Sequence, residues 1–399
     1  MSTLLQTELW TEELTKELKE NILGFWMKHA VDEDQGGFFG EVSTDLQINS
    51  KADKSLVLNA RLLWTFSAAY RLYGDKSYLT LADRAYAYLT KHFIDQEHGG
   101  LYWMLASDGT PSNDKKQVYG QAFGIYALTE YHRATGSEEA LALAIELFHI
   151  LEKYSYDPIH KGYVEALSRD WQMTGDFSLS DKDLNEKKSM NTHLHIMEAY
   201  TNLYRVWQSP LLREKQAELI EVTIQHIVDA QTGHFLLFFD EAWQVKSDHI
   251  SYGHDIEGSW LLVEAAEVLG NERLLQLAKK VAIQMAEATY NKGVDADGGI
   301  INEANANGYI DANKDWWPQA EAMVGFYNAY QLTQDEKYHE AAQRSWQFIQ
   351  QYIVDQEHGE WFWSVSREGE PHRSQPKVSA WKCPYHNSRA CMEMLERLH

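Results

Sequence analysis

The sequence is short of cysteine, of basic charge and of long apolar runs, and each shortage excludes something. Two cysteines in 399 residues, Cys383 and Cys391, rule out a disulfide framework and predict a reducing compartment, the cytoplasm. Thirty-six Lys and Arg stand against 59 Asp and Glu, a formal charge of −23, and no basic run offsets it. A phosphate backbone or an anionic bilayer would be repelled over most of such a surface, so neither nucleic acid nor membrane is an expected partner. No stretch approaches the ~18 apolar residues of a membrane span. The opening residues, MSTLLQTE, carry neither the basic start nor the apolar core of a secretion signal. GxxxxGK[ST] phosphate loops, HExxH helices and paired-cysteine zinc motifs are missing as well.

What is abundant is aromatic. The chain holds 14 Trp, 22 Tyr and 14 Phe. Such a content suits a packed core, and it equally suits a carbohydrate site, where the apolar face of a pyranose lies flat on a ring.

One motif organises the chain. An aspartate, a glycine and then alternating apolar residues recur as VDEDQGGFFGEV, IDQEHGGLYWML, YDPIHKGYVEAL, VDAQTGHFLLFF, VDADGGIINEA and VDQEHGEWFWSV, around Gly37, Gly100, Gly162, Gly233, Gly299 and Gly359. The spacing of 60 to 71 residues indicates a repeat fold, each copy reading as a turn and a short strand. Between the copies the periodicity is helical. One set of helices is predicted over 12–29, 77–92, 138–154, 212–230, 272–290 and 336–353. A second, more apolar set is predicted over 54–73, 116–134, 188–207, 254–269, 316–332 and 381–398. Segments such as LLWTFSAAY and AMVGFYNAY are apolar nearly all round, which places the second set inside. Six hairpins with an apolar inner ring predict an all-α (α/α)6 barrel, with short β segments in the long loops at one end. The barrel is read as one catalytic domain over residues 1–399. A linear solenoid is the alternative that closure excludes.

All six long connections then fall at one end, and polar residues gather there. The first turns of the inner helices hold Asn59 and Arg61; Tyr119 and Gln121; Asn191, His193 and His195; His254 and Glu257; Trp316, Trp317, Gln319 and Glu321; and Trp381, His386 and Arg389. Glu257 and Glu321 also satisfy the helix macrodipole without any function. Histidine is less expected there, because its cation is disfavoured; a neutral imidazole suits a general base near neutral pH. His195, His254 and His386 are therefore candidate catalytic groups, whereas His193, two positions from His195, faces elsewhere and reads as packing. Glu257, one turn beyond His254, is placed to fix its tautomer. The spacings His254-x-x-Glu257 and His195-x-x-Glu198 reverse the Glu-x-x-His order of bundle metal sites, so no metal is expected. Cys383 followed by His386 is a weak nucleophile–base pattern.

The segments KSMNTHLHIMEAYTNLYR, SYGHDIEGSWLL, WWPQAEAMVGFYNAYQ and WKCPYHNSR closely resemble the cellobiose 2-epimerase group of the N-acylglucosamine 2-epimerase superfamily. NARLLWTFSAAYR and QVYGQAFGIYALTEYH are similar too, so the resemblance covers nearly the whole chain. It implies an (α/α)6 barrel and a cofactor-free isomerase inverting C2 of the reducing-end sugar of β-1,4-linked disaccharides, cellobiose to glucosyl-mannose and lactose to epilactose. It implies His254 and His386 as the general acid/base pair, and Arg61, Asn191, His195, Glu257 and Tyr119 at the reducing-end sugar and its intermediate. Trp317 and Trp381 would hold the sugar rings, with Trp316 adjacent, and Glu321 is counted with the substrate-binding set. The expected state is a monomer or weak homodimer. The alternatives are a mannose or glucose 2-epimerase or an aldose–ketose isomerase of the same superfamily, and, further off, a glycoside hydrolase or a non-catalytic sugar binder.

Overall fold

A computed structural model describes residues 3–180 and 183–398 of the chain. The inner helices are α3 (Leu56–Tyr73), α5 (Val118–Thr135), α7 (Met190–Val206), α9 (Tyr252–Leu269), α11 (Trp316–Thr333) and α13 (Tyr385–Leu398). Each packs on the next, and α13 packs on α3, so the ring is closed and the solenoid is excluded. The outer layer is α1 (Thr3–Lys16), running on through a π-helical segment into α2 (Gly24–His29), followed by α4 (Lys76–Tyr88), α6 (Glu138–Tyr154), α8 (Pro210–Val222), α10 (Glu272–Lys292) and α12 (Glu336–Phe348). The chain therefore closes its barrel by pairing the last inner helix with the first outer one, α13 against α1. Among the described residues no helix is long and apolar enough to cross a membrane.

The inner-to-outer turns are short because their residues cap both helices. Gly74, Gly136 and Gly270 end α3, α5 and α9 in left-handed conformation, and Asp75, Ser137 and Asn271 accept the first free N–H groups of α4, α6 and α10. The opposite connections carry the six repeated motifs, and all six close as a tight loop with the same bridge: Val31 to Phe38, Ile94 to Leu101, Tyr156 to Tyr163, Val228 to Phe235, Val294 to Ile300 and Val354 to Trp361. Gly100 shows why the motif needs glycine. Its φ is +71°, and a Cβ there would stand 2.4 Å from Trp171.

Three of the inner helices begin two residues later than the pattern predicts, α13 begins four later, and α9 begins two earlier. Lys54, Lys116 and Lys188 belong to two-residue strands that precede α3, α5 and α7, and α13 begins at Tyr385, leaving Trp381 and Cys383 outside the helix. Pro384 accounts for the last case, since it holds the residue before it out of the helical region. The lysines have a different reason. Each is buried and reaches the aspartate of the preceding loop: Lys54 Nζ to Asp32 at 2.7 Å, Lys116 to Asp95 at 2.9 Å, Lys188 to Asp157 at 2.9 Å, and likewise Lys314 to Asp297 at 2.6 Å. The strands zip the mouth together, each pairing with the motif strand of the next repeat (Lys54–Ser55 with Met104–Leu105, Lys116–Gln117 with Ala166–Leu167, and so on), and a bridge from Val42 to Val378 closes the circle.

Candidate active site

The six repeats share a register that fixes where each side chain points. It is counted from Lys54, Lys116, Lys188, Ile250, Lys314 and Lys382. The second residue onward is Leu56, Val118, Met190, Tyr252, Trp316 or Pro384, and the first five of these are buried. The fifth is Asn59, Gln121, His193, Asp255, Gln319 or Asn387. Four of these grip the motif loop beneath them. Gln121 Oε1 accepts from Leu101 N–H at 2.8 Å, His193 Nε2 from Tyr163 N–H at 2.9 Å, Asp255 Oδ1 from Phe235 N–H at 2.7 Å, and Gln319 Oε1 from Ile300 N–H at 2.7 Å. His193 is thus a clamp, as the sequence suggests, and burial pushes its imidazole down to about 3. The third, fourth and seventh residues share the remaining face, which is the barrel axis. Tyr119, Asn191, Trp317 and Tyr385 hold the third position, His254 and His386 the fourth, and Arg61, His195, Glu257, Glu321 and Arg389 the seventh.

The register brings most of the predicted residues together. Trp317 touches both histidines, its ring centroid 4.6 Å from that of His254 and 5.4 Å from that of His386. The histidines come from α9 and α13, which flank α11, so they approach from different sides. Arg61 Nη2 donates to Tyr119 Oη at 2.7 Å and lies over the Phe123 ring. Tyr119 stands edge-on to His195 at 5.1 Å and to Trp381 at 5.9 Å. Asn191, His254 and Trp317 line a cavity of about 410 Å³ together with Ser251, Phe238 and Asn302, a size suited to a small-molecule ligand.

Trp316 does not join them. It occupies the buried second position, packed on Trp363 at 5.2 Å with the Lys382 ammonium over its ring, and its neighbour Trp317 takes the axial place. Glu321 departs from its assigned role too: its carboxylate is buried and accepts from His386 Nδ1 at 2.6 Å, Arg389 Nη2 at 2.5 Å and Trp260 Nε1 at 3.0 Å, so it orients a histidine from behind. Glu257 does not pair with His254. Its Oε1 accepts from Arg389 Nη2 at 2.7 Å, a stronger partner than a neutral imidazole, and the Nδ1 of His254 meets Ser251 Oγ at 2.8 Å instead. His234, from the fourth motif loop, is buried with its Nδ1 2.7 Å from Asp255 Oδ2.

Arg389 is the residue whose importance the sequence understated. Its guanidinium ties together Glu198, Glu257 and Glu321 in the floor of the site, and Glu198 in turn accepts from His195 Nδ1 at 2.8 Å and from the Tyr385 hydroxyl. Its spacing of three from His386 puts it on the same helix face, the one signal the sequence offered. Glu257, Glu321 and His386 also form a triad with metal-ligand spacing, but Arg389 already lies between the two carboxylates, where a second cation would be repelled.

The electrostatics follow from burial. Burial, with His195 and Arg61 adding to it against the pull of Glu321, pushes His254 down to about 3. Burial and the charges of Arg61 and Arg389 hold His386 well below the ordinary imidazole range, and burial lowers His195 against the pull of Glu198. All three are neutral bases in the open site at neutral pH. Burial pushes Glu257 up to about 8, with Glu321 adding and Arg389 opposing, and it raises Glu321 in the same way. Glu198 is buried too, yet the adjacent Arg389 charge and the His195 bond bring it down to about 2.

The model of the N-acylglucosamine 2-epimerase (GlcNAc 2-epimerase) family matches residues 37–390. The chain belongs to the N-acylglucosamine 2-epimerase family. It is 47% identical to the cellobiose 2-epimerase of Bacteroides fragilis over 97% of this chain and 99% of that one, and 40% identical to that of Ruminococcus albus over 96% and 98%. The solved cellobiose 2-epimerase of Bacillus thermoamylovorans superposes with a TM-score of 0.94 at 41% identity, covering 98% of this chain and all of the other. These likenesses make it an enzyme of the carbohydrate epimerase class on an (α/α)6 barrel.

Proposed function

We propose that this enzyme inverts C2 of the reducing-end sugar of β-1,4-linked disaccharides, cellobiose and lactose among them, by proton transfer between two histidines. The observation that carries this reading is that two neutral imidazoles, His254 and His386, both pack on the Trp317 ring, with the buried Arg61 guanidinium close enough for its charge to act on each. The identity to relatives named cellobiose 2-epimerases supports the disaccharide.

The chemistry needs those groups. The hydrogen on C2 of an aldose becomes acidic only when the ring is open and C1 is a carbonyl. One histidine removes it and becomes an imidazolium; the electron pair moves into the C1–C2 bond and charge collects on O1, giving a cis-enediolate. Arg61, with its Tyr119 partner, and His195 are the donors for O1 and O2, acting where charge develops and water is excluded. The second histidine, neutral at rest, takes a proton from solvent and gives it to the opposite face of C2 as the electron pair returns to that carbon and the C1 carbonyl re-forms. It is then neutral again, and the first histidine releases the proton it took. Trp317 and Trp381 supply the rings on which the sugars lie.

Incubation of cellobiose, lactose, mannose and glucose with the enzyme in D2O, followed by NMR, tests this. The expected result is glucosyl-mannose from cellobiose with deuterium at C2, because the base that delivers the proton is not the one that removed it. Release of glucose would indicate hydrolysis, a ketose would indicate isomerisation, and product retaining its own hydrogen at C2 would refute the two-base mechanism.

A further inference from the structure

The two histidines are backed by different chemistry, and the difference traces to one serine. In the first and third repeats the residue before the inner helix is Ser55 or Ser189, and each does the ordinary work of an N-cap. Ser55 Oγ accepts from Leu58 N–H at 3.0 Å and Ser189 Oγ from Thr192 N–H at 3.1 Å. Ser251 holds the same place before α9, but its side chain makes no cap bond. Its hydroxyl is turned to the Nδ1 of His254 at 2.8 Å, in the wall of the cavity. The helix has given up a cap there, and the hydroxyl gained is on the histidine.

We propose that Ser251 is a positioning residue for His254, fixing the ring so that Nε2 faces the sugar and serving both of its neutral tautomers. A hydroxyl accepts from Nδ1–H while Nε2 is the free base and when the ring is an imidazolium, and it rotates to donate to Nδ1 when the ring's single proton sits on Nε2. The Glu321 carboxylate behind His386, when ionised, only accepts, so it keeps Nδ1–H on His386 and leaves that ring one tautomer. The two bases are therefore not interchangeable. His386 is locked in orientation by an acceptor of fixed sense, and His254 is held by a partner that changes sense with it. The inference rests on the proposed role of His254 in proton transfer at C2.

Three variants test it: Ser251→Ala, Ser251→Thr and, as a control for capping, Ser189→Ala. Ser251→Ala is expected to lower kcat for cellobiose about tenfold, the equivalent of one ordinary hydrogen bond, with KM and Tm near those of the parent. Ser251→Thr, which keeps the hydroxyl, is expected to restore kcat. Ser189→Ala is expected to lower Tm, since there the cap is real. A Ser251→Ala enzyme with unchanged kcat and a Tm lowered as in Ser189→Ala would show that Ser251 is only a cap and overturn the proposal. So would a Ser251→Thr enzyme no better than Ser251→Ala while retaining the parent's Tm. Failure of the parent enzyme to exchange the C2 hydrogen in D2O would instead refute the proposed function, so the two failures are distinct.

Discussion

Adjacent tryptophans at the start of α11 should respond to alanine in opposite ways. Trp316 is 3% exposed and wedged between Trp363 and Lys382, whereas Trp317 is partly exposed, lines the cavity and touches both histidine rings. Trp316→Ala opens a void in packed core, and truncations of that kind cost about 3–5 kcal/mol. With unfolding entropy near 2.1 cal/mol/K per residue, a 399-residue chain that unfolds as one unit would lose roughly 5 °C in Tm for ~4 kcal/mol. The folded fraction at 25 °C should still turn over cellobiose within a few-fold of the parent. Trp317→Ala gives up less packing, because one side of the ring already faces the cavity. It loses the ring on which both His254 and His386 pack and, in the proposed function, the platform for the sugar. Stacking is worth about 1–3 kcal/mol per ring by analogy with bases on aromatic residues, so kcat/KM should fall ten- to hundredfold or more. The assay is thermal melting alongside initial rates on cellobiose, each normalised to folded protein. Equal losses of activity in the two variants, or a Trp316→Ala enzyme as stable as the parent but inactive, would refute the register on which the site is built.

Arg61→Met should abolish turnover, by at least 10²–10³-fold, while leaving stability unchanged or raised by up to a few kcal/mol, because a buried cation without a carboxylate partner is costly to the fold; a melting temperature well below the parent's would contradict this. Acid should destabilise the protein as Glu198 protonates: its folded value of about 2 lies below the ordinary carboxylate value, so its contribution is full above about 4.5 and is lost as pH falls towards 2, which urea titrations at pH 5, 4 and 3 would show against a Glu198→Gln variant. Chelation with EDTA should leave activity unchanged, since Arg389 already occupies the space between Glu257 and Glu321; loss of activity restored by a divalent ion would overturn the cofactor-free reading.

The architecture was legible because it is written six times. A motif recurring every 60 to 71 residues, separated by helical periodicity of two kinds, specifies hairpins, an inner ring and a functional end. The grouping of His195, His254 and His386 near inner-helix starts was legible for the same reason. The pairings that hold these groups were not. Glu321 and His386 are 65 residues apart and Glu198 and Arg389 are 191 apart, and no local spacing encodes a contact across a closed ring. Within a helix the sequence could mislead, as Glu257 shows. Its i, i+3 relation to His254 is real, but Arg389 from another helix outcompetes the histidine. Trp316 was separable from Trp317 by aligning the repeats residue by residue, since the equivalents of Trp316 (Leu56, Val118, Met190) are plainly apolar. The buried lysines carried the clearest unread signal: four repeats place Lys two residues before an inner helix and Asp early in the preceding loop.

The distribution of buried charge bears on how such a site can work at all. Arg389 faces three carboxylates, Glu198, Glu257 and Glu321, and burial with mutual repulsion favours a proton on the Glu257–Glu321 pair, so this side of the chamber carries about one negative charge in excess. Arg61 stands across from it with no carboxylate partner among the described residues. It touches Tyr119, the Cys383 thiol and the faces of Phe123 and Tyr385, and its buried Nε has no partner among the described residues. The resting chamber is therefore nearly neutral as a whole yet divided into a positive and a negative side. In the proposed reaction the first proton transfer creates an enediolate and an imidazolium at once, and the division suits that pair: Arg61 meets the anion, and the carboxylate cluster, bonded directly to His386 and His195, meets the cation. Neither charge has to recruit solvent, and nothing has to move when the charges appear. The fold bears the cost of holding Arg61 unpaired in the absence of substrate. A site built only to bind a neutral sugar would have no reason to carry that cost.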